Sequence, residues 1–250
     1  MVAHLYLSPH LDDAVFSCGG LMAMQDARGE PISVLTLFAG DPPDYRISEF
    51  AAQLHARWGK AGPPVAMRRA EDRLACGRLG ASVVHLEFPD AIYRVNASEK
   101  PLYPDSESLF SGLGPEEDQL RDDMAQALQE INFENAIVYC PMGLGGHVDH
   151  QLTRAAAEEL DIRLIYYADM PYASRSEDLQ AIFDQQDVHW KQVRLTEEAI
   201  DAWVSAILEY QSQLSTFWND EDQLYKELRN FHDEYGGIPL RESLLSFPDV

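Results

Sequence analysis

Short apolar runs rich in β-branched residues alternate with longer stretches of helical periodicity, and this alternation constrains the fold more than any other feature of the chain. Strand-like runs fall at 2–7, 32–38 (ISVLTLF), 82–88 (SVVHLEF), 136–140 and 162–167 (IRLIYY). Runs that are apolar at nearly every position suit strands covered on both faces. Helices are expected at 14–28, 48–58, 66–79, from Pro115 to about 131, and at 149–160. Gly29 and Gly80 stand at C-terminal cap positions, and Pro115 fits a first turn. A sixth strand is expected at 188–195, after which the pattern turns helical, including 197–214 and 221–235. The predicted class is α/β: a Rossmann-like, mostly parallel sheet of order 3-2-1-4-5, with helices on both faces. A helical C-terminal region, about 196–250, packs on it. No repeat or linker divides the chain, so 1–250 reads as a single domain.

Composition narrows the class of function. The chain has 19 Lys+Arg against 42 Asp+Glu, a net charge of −23. That argues against nucleic acid and anionic membranes, both of which are recognised through basic patches. A hydrophobic share of 46% with 10% aromatics is that of a folded protein, despite the charge. No apolar run approaches the roughly 18–20 residues of a membrane span, and 1–10 show no signal-peptide pattern. Three scattered cysteines, Cys18, Cys76 and Cys140, make no disulfide framework. The expectation is a cytoplasmic protein.

Two clusters carry chemistry. Ser8-Pro9-His10-Leu11-Asp12-Asp13 follows the first strand and precedes the first helix. Gly145-Gly146-His147-Val148-Asp149-His150 follows the fourth strand and opens the helix behind it. In the order 3-2-1-4-5, strands one and four are neighbours whose following loops diverge, and such crevices hold ligands. Two imidazoles and a carboxylate suit zinc with one position left open to water. Taken singly, each motif reads more readily as a turn or helix cap; their joint placement favours a site. Asp12 and Asp13 point apart, so one can bind a metal while the other serves as base. Gly19-Gly20 lies inside the first helix without dinucleotide-fingerprint spacing. His4 and His85 read as core or edge residues.

These residues resemble the LmbE-like (PIG-L) zinc-dependent N-acetylglucosaminyl deacetylases. Besides the two clusters, the resemblance includes Arg68-x-x-Glu71 with Ala75 and Leu79-Gly80. It continues through Phe88-Pro89-Asp90, the segment Tyr167-Ala168-Asp169-Met170-Pro171-Tyr172, and Tyr210-x-Ser212-Gln213, and so covers about 1–215 in order. It implies His10, Asp13 and His150 as zinc ligands and Asp12 as the general base on the zinc-bound water and later the acid. It implies His147 as an imidazolium stabilising the oxyanion, oriented by Asp149, and Arg68 and Asp90 as substrate contacts. Leu11 and Ala14 stand where the family commonly has Pro and Glu, and Gly145 and Gly146 where some members place an aromatic residue.

The implied reaction removes an N-acetyl group from an amino sugar or its glycoside, with Zn2+ or another divalent metal as cofactor. A zinc amidase acting on a larger N-acyl or thiol conjugate, and a noncatalytic sugar-binding protein of the same fold, are the alternatives. A metal phosphohydrolase is disfavoured, since no glycine-rich or basic phosphate loop is present. The family includes homo-oligomers. Segments 39–65 and 89–115 read as long loops around the site.

Overall fold

β1 (Ala3–Ser8) is the central strand of the five parallel ones in a seven-stranded sheet among the residues described by the structure, a computed structural model covering 2–43, 47–59, 62–175, 177–183 and 190–242. The chain continues through α1 (Asp13–Ala27), β2 (Ile32–Thr36), α2 (Glu49–Trp58), α3 (Pro64–Arg78) and β3 (Ala81–His85). Next come α4 (Asp118–Gln129), β4 (Ala136–Pro141), α5 (Val148–Glu158) and β5 (Leu164–Tyr167). The last third holds α6 (Tyr172–Arg175), α7 (Asp178–Phe183), β6 (Trp190–Val193), α8 (Glu197–Ile207), α9 (Gln211–Phe217), α10 (Glu221–Tyr235) and β7 (Ile238–Glu242).

The sheet order is β3-β2-β1-β4-β5-β7-β6. The first five strands are parallel, in the order expected from the βα alternation. β1 sits between β2 and β4, with Tyr6 opposite Val34 on one side and Tyr139 on the other. Tyr6, Leu7, Val34, Leu35 and Val138 are all buried, as strands covered on both faces require. The expected crevice therefore exists: the loops after β1 and β4 leave neighbouring strands at the switch point.

The C-terminal third differs from expectation in two ways. The region beyond 196 is not wholly helical, because β7 inserts antiparallel between β5 and β6. Gly236 and Gly237, both at positive φ, turn the chain out of α10 and into that strand. The helix expected at 197–214 is broken into α8 and α9, with Tyr210 fully buried at the joint. Its hydroxyl donates to Asp72 Oδ1 at 2.7 Å and ties the joint to α3. Of the strand expected at 188–195, residues 188 and 189 lie outside the described residues.

Gly19-Gly20 serves packing. A Cβ on Gly19 would lie 2.4 Å from Trp203 Cδ1, and one on Gly20 2.4 Å from Leu195 Cδ1. Trp203 of α8 is fully buried and donates its indole N–H to the Val15 carbonyl at 2.8 Å, so it has no room to retreat. Gly19→Ala gains about 1 kcal/mol of helix propensity but overpacks the α1–α8 contact at a cost of about 1–3 kcal/mol. The variant is expected to unfold at lower urea concentration. A higher midpoint would mean that the contact yields freely.

Candidate metal centre

The loop after β1 is fastened before any ligand enters it. Ser8 Oγ accepts the Ala14 N–H at 3.0 Å and donates to the His10 carbonyl at 2.6 Å. Asp13 Oδ2 accepts the backbone N–H of His10 at 2.8 Å, which brings both side chains to the start of α1. After β4, Gly143, Gly145 and Gly146 adopt positive φ and turn the chain sharply into α5. At Gly145 no side chain fits, since a Cβ would meet the Tyr172 ring at 2.7 Å. His147 caps α5, its Nδ1 accepting the Asp149 N–H at 3.2 Å, so Asp149 and His150 share the first turn.

These turns bring the two clusters together. Asp13 Oδ2 lies 3.1 Å from His10 Nδ1 and 3.2 Å from His150 Nε2. The opposite nitrogen of each ring is anchored by a buried carboxylate: His10 Nε2 on Asp149 Oδ2 at 2.8 Å, His150 Nδ1 on Asp169 Oδ1 at 2.7 Å. His150 Nε2 is buried, and despite its nearness to Asp13 it makes no hydrogen bond. Ligating imidazoles in metal sites are oriented in this way, one nitrogen on an outer carboxylate and the other turned toward the ion. The set of two imidazoles and one carboxylate thus fits a divalent cation. His10, His147 and His150 also bring ring nitrogens within 4.8 Å of one another, as do His10, Asp90 and Asp149 their ligand atoms. The latter set uses the His10 Nε2 that already donates to Asp149, so it competes poorly.

Charges in the cluster balance locally. Burial disfavours the Asp13 carboxylate, but His150 and His10 override it and hold its pKa well below the usual range. Burial likewise opposes a charged His150, yet Asp13 and Asp169 push its pKa up to about 10. Asp12 turns the other way, toward Arg68 Nη2 at 3.4 Å. Burial pushes its carboxyl up to about 7, against the pull of Arg68. A base near neutrality is suited to moving protons. Asp12, Asp13, His10 and His147 line one cavity of about 130 Å³, whose wall includes Trp58, Ile92, Leu109 and Phe217.

The profile of the PIG-L family, described as GlcNAc-PI de-N-acetylase, matches residues 5–160. The chain belongs to this family. It is 28% identical over 237 residues to a 2'-N-acetylparomamine deacetylase of Niallia circulans, covering 88% of this chain and 83% of that one. The zinc-inhibited form of teicoplanin deacetylase Orf2 superposes with a TM-score of 0.81 at 27% identity, covering 98% of this chain and 100% of that one. The A40926 pseudoaglycone deacetylase Dbv21 is similar at a TM-score of 0.73 and 31% identity, over 96% of each chain.

Two details of the geometry differ from what the PIG-L resemblance implies. Asp149 does not orient His147 through its carboxylate. Its Oδ2 accepts from His10 and from the Ala91 N–H at 3.0 Å, and its Oδ1 pairs with Arg94 Nη1 at 2.6 Å. Its backbone N–H is what fixes the His147 ring. At His147, Nδ1 acts as acceptor, and burial, with His10 adding, lowers the pKa to about 3, which disfavours the imidazolium that the resemblance implies. With Nδ1 accepting, Nε2 is the position left for the ring proton.

The other expected residues converge. Arg68 and Asp90 line the cavity, although Arg68 is engaged by Asp12 and stacks 4.7 Å over Trp58, and Asp90 caps its own turn through Ile92 N–H. Sequence reasoning does not reach Asp169 as the anchor of His150, nor Arg94 beneath Asp149. Asp169 stands within a PIG-L landmark segment, which is the one signal that marks it. Phe110 and Tyr172 supply the aromatic surface absent from the Gly145-Gly146 turn, with Phe110 edge-on to His147 at 5.5 Å. Among the described residues, no helix is long and apolar enough to cross a membrane.

Proposed function

We propose that the chain is a zinc-dependent N-deacetylase that hydrolyses the acetamido group of an amino sugar glycoside to acetate and the free amine. The observation that carries this reading is the meeting of His10 Nδ1, Asp13 Oδ2 and His150 Nε2, beside a cavity lined by His10, Asp12 and Asp13. His10, Asp13 and His150 would hold the ion. When bound, zinc supplies Lewis-acid polarisation of the amide carbonyl and lowers the pKa of water. Asp12 takes a proton from the attacking water and delivers it to the departing nitrogen as the C–N bond breaks. The His147 Nε2–H donates to the oxygen that gains negative charge at the tetrahedral carbon. Arg68 holds the Asp12 carboxylate toward the cavity, and Asp90 offers an acceptor to sugar hydroxyls. Three free and buried thiols, Cys18, Cys76 and Cys140, fit a reducing, cytoplasmic setting.

The test is metal content together with acetate release from N-acetylglucosamine and its alkyl and aryl glycosides. About one zinc per chain with acetate release supports the reading. Zinc without release from any of these sugars moves the substrate to other acyl amides, and a chain that takes up no metal overturns the reading.

The wall also predicts a substrate preference. Phe110 is 45% exposed beside His147, and Leu109 lies in the wall. An apolar aglycone covers such a surface. Phe110→Ala is expected to raise KM for an aryl glycoside about 3- to 10-fold, equivalent to the loss of part of one buried ring. KM for free N-acetylglucosamine should stay unchanged. An equal rise for both substrates would count against an aglycone contact.

A further inference from the structure

We propose that Arg94 is a positioning residue for the metal site: it holds the Asp149 carboxylate in the orientation that aims His10 Nδ1 at Asp13, and so sets how tightly the cation is kept. This inference rests on the zinc reading above and extends it outward by two side chains.

Arg94 follows the short 3-10 turn Ala91–Tyr93 and is only 7% exposed. Its Nη1 lies 2.6 Å from Asp149 Oδ1, and its Nε lies 3.0 Å from Glu117 Oε1. The same Nη1 donates to the Pro89 carbonyl at 3.2 Å, and the guanidinium packs over the rings of Phe38 and Tyr103. The Tyr103 hydroxyl donates to Glu117 Oε1 at 2.6 Å. A buried chain of alternating charge therefore runs from His10 through Asp149 and Arg94 to Glu117.

Asp149 is fully buried, so Arg94 is what compensates its charge on the side away from His10. Without the guanidinium, the carboxylate either takes up a proton or rotates. Either change weakens it as acceptor for the His10 Nε2–H, and the ring loses the tautomer and direction that present Nδ1 to a cation. Arg94 does not line the cavity that holds Asp12 and His147, so its effect passes through His10 and not through substrate. The segment expected to be a loop at 89–115 thereby reaches the metal site from below.

The test compares the parent with Arg94→Met, Arg94→Lys and Glu117→Gln. Zinc affinity is measured by competition with a chromophoric chelator, thermal unfolding is followed separately, and kcat and KM are taken at limiting and saturating zinc. Arg94→Met is expected to weaken zinc binding about 10- to 100-fold. Its KM should hold, and saturating zinc should restore most of kcat. Arg94→Lys should recover part of the affinity, because one ammonium can face Asp149 or Glu117 but cannot fork to both. Glu117→Gln should show a smaller loss in the same direction.

A structural brace alone would lower the unfolding temperature and leave zinc affinity within threefold, and that result overturns the proposal. If Arg94→Met fails to fold, Arg94→Lys and Glu117→Gln decide by the same threefold criterion. A parent that binds no zinc overturns the function reading and this inference together. A parent that binds zinc, with variants that bind it equally well, overturns this inference alone.

Discussion

Asp12→Asn is expected to lower acetate release by about 10²- to 10⁴-fold, the range typical of a lost general acid–base, while zinc content stays at the parent level. The separation follows from geometry. Asp13, not Asp12, faces His10 and His150, so the amide leaves the cation's ligands in place. Asn keeps the size of the side chain and a carbonyl for Arg68, but it cannot accept the proton from water or return it to the amine. Loss of kcat with little change in KM is the signature of a group that acts only in the transition state.

Stability should move the opposite way. Burial pushes the Asp12 carboxyl up to about 7, which means the folded chain disfavours its charge. A neutral amide removes that penalty, so the variant should unfold no earlier than the parent. Such a trade between stability and activity is expected where a charged group is held for chemistry. An Asp12→Asn protein that retains more than a tenth of the parent kcat would remove Asp12 from the proton-transfer role.

His150→Ala is expected to empty the site of zinc and abolish acetate release altogether. His150 supplies one of three ligands, and it also separates Asp13 from Asp169. Asp169→Asn offers the graded counterpart. It keeps the ligand but weakens the acceptor for His150 Nδ1, so zinc affinity should fall about 10- to 100-fold while some activity returns at high zinc. Metal content after dialysis against a chelator distinguishes the three proteins. Parent, Asp169→Asn and His150→Ala should retain zinc in that order.

Protons should accompany the exchange. In the metal-free chain, Asp13 and Asp169 outweigh burial and hold the His150 pKa at about 10, so the ring is protonated at neutral pH. Zinc must displace that proton, and binding should therefore acidify a weakly buffered solution. Affinity should fall as pH drops below the imidazole pKa, because the proton competes increasingly well. Zinc uptake without proton release would mean that the His150 ring is already neutral in the metal-free chain.

Much of the architecture is legible in the chain because it follows from local pattern. Doubly covered strands read as continuous apolar runs, and a parallel order places the loops after β1 and β4 together. The distant His-Asp clusters were therefore expected to meet, and His10, Asp13 and His150 do. What escapes the sequence depends on partners chosen in space. Asp149 shares a helix turn with His147 yet serves His10, because the cap geometry turns its backbone N–H, and not its carboxylate, toward His147 Nδ1. Arg94 sits in a segment without periodicity, and nothing local ties it to a residue 55 positions on. Ile238-Pro239-Leu240-Arg241-Glu242 has too little β-branched character, and a proline, to announce itself as a strand. Its pairing with β5 and β6 makes it one.

That pairing has a consequence for synthesis of the protein. β5 leads directly to Asp169, and one of its edges is covered by residues 240–242. During translation the parallel core can assemble as its helices emerge, but β5 keeps an open edge until Leu240, Arg241 and Glu242 have left the ribosome. The anchor of His150 thus stands beside the last seam of the sheet to close. A nascent chain stalled before β7 would present that bare edge to its neighbours.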